Sequence, residues 1–183
     1  MMPMLINVTA LKETVGGNRQ LVGQQAQECQ SQIDRLNGLS TEPGVCDSAA
    51  YRSMFEYLRR VKIPALMQQS VFLDAYAADM QVDLERLAEL ETDGSGVIDT
   101  DELANRIVSL QRVNDELSRW ISSNGEQNPD ACNYAIQVMQ GNQDSVARFQ
   151  QQLDKALAYA SDSSIYSSSS TEMDVLGEAS AAM

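Results

Sequence analysis

The chain of 183 residues contains no histidine, which removes the commonest general base and the commonest transition-metal ligand. Lysine occurs only at Lys12, Lys62 and Lys155, and the formal net charge is −13. That sign excludes nucleic acid and anionic membrane surfaces as partners, because both would repel it. The three cysteines, Cys29, Cys46 and Cys132, lie far apart without a C-x-x-C, so neither a disulfide framework nor a zinc site is indicated. No run approaches ~20 uninterrupted apolar residues, and nothing is expected to span a bilayer. The start M-M-P-M-L-I-N-V lacks the basic region and apolar run of a signal peptide. There is no G-x-S-x-G, phosphate loop or metal-ligand cluster, so no catalytic residue is assigned and an enzyme is the poorest reading.

What is present is helical patterning. Apolar residues make up 43% of the chain and aromatics 5%, so the core is expected to consist of Leu, Val, Ile, Ala and Met. From Asn7 to Leu36, Val8, Leu11, Val15, Val22, Cys29, Ile33 and Leu36, with Ala26, draw one narrow stripe at steps of three and four. Gly16-Gly17 predicts a kink or a break in that helix. Gly38 to Gly44, with Pro43, reads as a loop. Ser48 opens a second pattern with Tyr51, Phe55, Leu58, Val61, Leu66, Leu73, Tyr76, Met80, Leu84 and Leu87. Pro64 inside it should leave an unpaired carbonyl near Arg60 and bend the helix. A third helix carries Leu103, Ile107, Leu110, Val113, Leu117 and Trp120. A fourth begins at Pro129 and carries Tyr134, Val138, Phe149, Leu153 and Leu157. The tail is Ser-rich, and Thr171-x-x-Asp174 predicts a short last helix. No segment alternates, so no strand is expected. The reading is an all-α, elongated bundle with main helices at about 7–36, 48–90, 100–122 and 129–159, the second kinked, and no sheet. It divides into a helical domain, 1–160, and a Ser-rich segment with a short helix, 161–183.

The stretch E-T-D-G-S-G-V-I-D-T-D-E-L, 91–103, is the polar turn between the second and third helices. As an EF-hand loop it would place Glu91, Asp93, Ser95, the Val97 carbonyl, Asp99 and Glu102 at positions 1, 3, 5, 7, 9 and 12, with Gly96 at the sharp turn and Ile98 as the hydrophobic anchor. As a plain connection, Gly94 and Gly96 end one helix and Asp99-x-x-Glu102 is a capping box opening the next. The second reading needs no metal, and Glu91 stands where the tight first turn prefers the shorter Asp. Calcium is therefore the alternative, and no cofactor is the favoured expectation.

Tyr51, Ser53 and Tyr57 followed by Val61-Lys62-Ile63-Pro64-Ala65-Leu66 resemble the spaced aromatics and V-x-I-P-x-L stretch of the LXG domain, found at the N-terminus of toxins exported by the type VII secretion system of Gram-positive bacteria. Gly96-Val97-Ile98-Asp99 with Leu103 is similar to that family's central turn, and Ser164-Ile165-Tyr166 to its late segment. Order and spacing agree over residues 5–180. The eponymous Leu-x-Gly triplet should fall near Cys46-Asp47-Ser48, which is not that triplet; Leu36-Asn37-Gly38 has the letters but lies about ten residues early and reads as a helix stop. The resemblance implies a non-catalytic, secretion-targeting, partner-binding domain, recognised through small helical WXG-like proteins and the export machinery. It implies cytoplasmic residence before export without a cleavable signal peptide. Any toxin activity used in interbacterial competition would lie in a separate C-terminal domain. The partner-binding positions are then Val8, Leu11, Val15, Val22, Tyr51, Tyr57 and Pro64. The physics agrees, since narrow apolar seams are what partner helices cover.

Overall fold

The computed structural model describes residues 3–39, 49–90, 92, 94–124 and 127–181. It is all-α apart from one short strand pair. The elements in order are β1 (Leu5–Asn7), α1 (Val8–Leu39), α2 (Ala49–Tyr57), a π-helical turn (Leu58–Lys62), α3 (Ile63–Glu89), β2 (Val97–Asp99), α4 (Thr100–Asn124), α5 (Pro129–Ser161) and α6 (Ser167–Ala181). The periodicity thus locates the main helices to within a few residues. The expected loop 38–44, Ser48 and the Leu-x-Gly position 46–48 lie mostly or wholly outside the described residues.

The chain forms two compact units, each assembled from separated segments: Met1–Ala10 with Leu87–Asp162, and Leu11–Arg86 with Ser163–Met183. The first unit is built on the α4–α5 hairpin and the strand pair, with Ile6, Ile98, Leu103, Ile107, Leu153 and Ala156 buried. In the second, Val15, Val22, Ala26, Cys29 and Ile33 of α1 are buried, as are Phe55 of α2 and Ile63, Leu66, Leu73 and Met80 of α3. The narrow stripe read from α1 is therefore a core stripe. The last helix, read in the sequence as the short helix of the Ser-rich segment 161–183, falls in this second unit.

Three expectations, on strands, Gly16-Gly17 and Tyr134, are corrected, and that on Pro64 gains a detail. No strand was expected, yet β1 pairs antiparallel with β2 through Leu5↔Asp99, Ile6↔Ile98 and Asn7↔Val97. Three residues are too few for alternation to register. Gly16-Gly17 does not break α1, which runs through both; an added Cβ at either would meet nothing, so these glycines cost backbone entropy without opening a contact. Pro64 is preceded by a π turn in which the Ile63 N–H bonds the Leu58 carbonyl. The missing Pro64 N–H is thus accommodated by five-residue spacing just upstream. Tyr134 is exposed at 70%, and Cys132 and Ala135 point inward in its place.

Within the second unit, α6 is held by two buried carboxylates of α3. Asp79 Oδ2 accepts the Ser169 N–H at 2.8 Å, and Asp83 Oδ2 accepts the Tyr166 hydroxyl at 2.7 Å. A carboxylate from a neighbouring helix thereby satisfies one of the open donors in the first turn of α6. Tyr166 also lies against Tyr76, with ring centroids 5.7 Å apart.

Candidate functional site

The turn before α4 is organised by β2 and its partner strand. Each strand runs directly into a helix, and each ends on a side chain that caps it. Asn7 Oδ1 accepts the Ala10 N–H at 2.9 Å; Asp99 Oδ1 accepts the N–H groups of Asp101 and Glu102 at 2.9 and 3.1 Å. The two helix starts also serve one another. The Thr9 N–H donates to the Gly96 carbonyl at 3.2 Å, and the Thr100 N–H to the Met4 carbonyl at 3.1 Å. Thr100 Oγ1 accepts the Met4 N–H, which explains a threonine only 1% exposed. Gly94 and Gly96 take positive φ of 92° and 72°, and a Cβ at Gly96 would overlap the Thr9 hydroxyl. The sequence did carry a faint signal of this pairing: apolar-Ile-Asx followed by a β-branched residue occurs at Leu5-Ile6-Asn7-Val8 and at Val97-Ile98-Asp99-Thr100.

This geometry confirms the capping role of Asp99. Glu102 is paired with Arg106 one turn on. Ser95 Oγ donates to the Val97 carbonyl at 3.0 Å, which brings together two of the oxygens named for a calcium loop. Ser95, Val97, Asp99 and Glu102 all line one concavity of about 410 Å³ in the first unit, closed by Leu5, Leu103, Arg106 and Phe149. The Arg106 guanidinium stands over the Phe149 ring at 5.8 Å and that of Arg148 at 5.5 Å. Glu91 and Asp93 lie outside the described residues. Among the described residues no three His, Cys, Asp or Glu side chains are grouped to hold a metal.

The positions named for partner binding separate into two sets. Val8, Val15 and Val22 are buried and Leu11 is half-buried, so the α1 positions serve the chain's own cores rather than an outside partner. A single narrow stripe looks the same in sequence whether its cover is internal or external. Tyr51, Tyr57 and Pro64, by contrast, are exposed, the tyrosines at 48% and 56%. They flank the π turn in the second unit. Sequence reasoning missed their neighbours Met54, Met67 and Val71, which are also exposed; these residues were hidden by the stronger inward stripe of the same helices. No described helix is long and apolar enough to cross a membrane. No family model matches the chain, and neither a curated protein nor a solved structure matches it significantly.

Proposed function

We propose that this chain is a non-catalytic secretion-targeting and partner-binding module of the LXG type, recognised through small helical WXG-like proteins that accompany it to the type VII export machinery. The observation that carries the reading is the segment Tyr51–Leu66. Its aromatics and proline resemble the family's ordered motif, and Tyr51, Tyr57 and Pro64 lie on the surface around a π turn instead of filling the core. Side chains of that size left outside a folded unit are suited to burial against another protein. If short helical proteins are encoded beside it, co-expression with them should yield a stable complex, and a reporter fused to the chain should leave the cell only when those proteins are present; their absence from the neighbourhood would count against the reading. Export of the reporter without them, or a chain that purifies alone in their presence, would overturn the reading.

A second reading, calcium binding at 91–102, is favoured by one observation: β2 covers loop positions 7 to 9 and pairs through Ile98 with another strand, the arrangement that supports EF-hand loops. A bound ion would add about 2.7 kcal/mol at a hundredfold excess over its dissociation constant. The targeting reading expects no change in melting temperature with calcium. A calcium-dependent rise that disappears in Glu102→Gln would put the second reading first.

A further inference from the structure

Residues 51–71 combine exposed apolar side chains with most of the local positive charge. Tyr51, Met54, Tyr57, Met67 and Val71 are 44–56% exposed. Arg52, Arg59, Arg60 and Lys62 bring four of the chain's thirteen cationic residues into the same stretch, against one carboxylate, Glu56. The Arg60–Glu56 pair is loose, 3.6 Å with side chains 78% and 69% exposed, and such pairs hold their partners weakly. With a screening length of about 8 Å at physiological salt, this cluster rather than the net charge of −13 sets the potential met by a docking molecule. Tyrosine, methionine and arginine are also the side chains enriched where protein surfaces bury one another.

We propose that this face docks an acidic amphipathic helix of a separate protein. The inference rests on the partner-binding reading above and adds the location and the charge of the partner. The helical form follows from the spacing: on α3 the exposed apolar positions Pro64, Met67, Val71, Ala78 and Val82 recur at steps of three, four and seven, with exposed Asp74 in the longest gap, a narrow seam along which a second helix packs at its Pro64–Val71 end. The acidic character follows from Arg52, Arg60 and Lys62, all exposed in the segment that carries the aromatics, whose charge favours carboxylates beside the partner's apolar stripe. A second copy of this chain fits poorly, because a two-fold dimer centred on the cluster sets cations against cations.

The test titrates the full chain into a labelled three-heptad peptide with leucine at the seam positions and glutamate beside them, and into the same peptide with lysine for glutamate, followed by fluorescence anisotropy. The glutamate peptide should bind at least about tenfold more tightly than the lysine peptide, and less tightly as salt rises. Val71→Asp and the pair Arg60→Glu/Lys62→Glu should each weaken it about tenfold or more. Val108→Asp, at a 63% exposed position of α4, should leave it unchanged. Circular dichroism melts verify that the variants fold. Equal binding of both peptides, or binding by folded Val71→Asp equal to that of the parent chain, overturns the proposal. A concentration-dependent rise in mass that Val71→Asp abolishes also overturns it, by making a second copy the occupant. Reporter export by the same variants separates this inference from the reading beneath it. Peptide binding lost with export intact supports the docking face and removes its role in targeting. Partner-dependent export together with peptide binding indifferent to all three substitutions keeps the targeting and removes this face.

Discussion

Gly96 is the residue at which backbone and packing demands coincide. Its φ of 72° strains any side chain, and a Cβ there would strike the Thr9 hydroxyl while the Gly96 carbonyl still accepts the Thr9 N–H. Gly96→Ala should therefore cost about 2–3 kcal/mol, more than the ~1 kcal/mol of conformational strain alone. Thr9→Ala, which removes the overlapping oxygen, should recover part of the loss; strict additivity of the two substitutions in urea melts would show that the overlap contributes nothing. Asp99 has a smaller and separate duty. Because it accepts two N–H groups at the start of α4, Asp99→Ala should cost roughly 1 kcal/mol, with or without calcium, whereas Asp99→Asn should cost less. A calcium-dependent difference between Asp99→Ala and the parent chain would assign the carboxylate to an ion.

At the scale of elements, the π turn and the anchoring of α6 are the features that variants can address. Pro64→Ala returns an N–H that can bond the Arg60 carbonyl, so the Leu58–Lys62 turn should revert to four-residue spacing. That change would re-phase Tyr51 and Tyr57 relative to Met67 and Val71. Partner binding should then fall more than stability, which should stay within about 1 kcal/mol. Equal binding by both forms would make the turn incidental. In α6, Met173 and Val175 are exposed, and the helix is anchored by Asp79 and Asp83. Asp79→Ala leaves the Ser169 N–H without its buried acceptor, a loss of about 1–3 kcal/mol. Hydrogen exchange at residues 169–178 should accelerate while α1 remains protected. Asp79→Asn, which keeps an acceptor oxygen, should show a milder effect; identical behaviour of the two variants would mean that the hydrogen bond is not what holds the helix.

For the molecule as a whole, the assembly of each unit from separated chain segments makes the first few residues disproportionately important. β1 supplies the pairing partner of β2, although it is only three residues long, and Met4 just before it supplies the polar partners of buried Thr100. Removing residues 1–7 should uncover Ile98 and destabilise the unit containing Leu87–Asp162, with early loss of exchange protection at 97–107. The unit containing Leu11–Arg86 should retain its protection, giving unfolding that departs from two-state behaviour. Simultaneous loss in both units would show that they fold as one.

The boundaries of the main helices and most of the inward stripe were legible in the residues themselves, because helix formation depends on contacts three and four positions apart. The positions Val15, Val22, Cys29 and Ile33, or Leu66, Leu73, Met80 and Leu87, stand four or seven apart, seven being one step of three plus one of four, and are buried. The Asp99 cap was legible for the same reason, its acceptor lying two and three residues from its donors. Tertiary structure alone decided what joined distant parts of the chain. The Ile6↔Ile98 pairing, the Asp79–Ser169 hydrogen bond and the covering of the α1 stripe by the chain itself link residues whose separation leaves no period in the sequence. Tyr51, Tyr57 and Pro64 stood out in the sequence only by a resemblance, and the packing of α2 and α3 is what set them outside. An apolar side chain at helical spacing carries no label for which side of its helix the remaining elements will occupy.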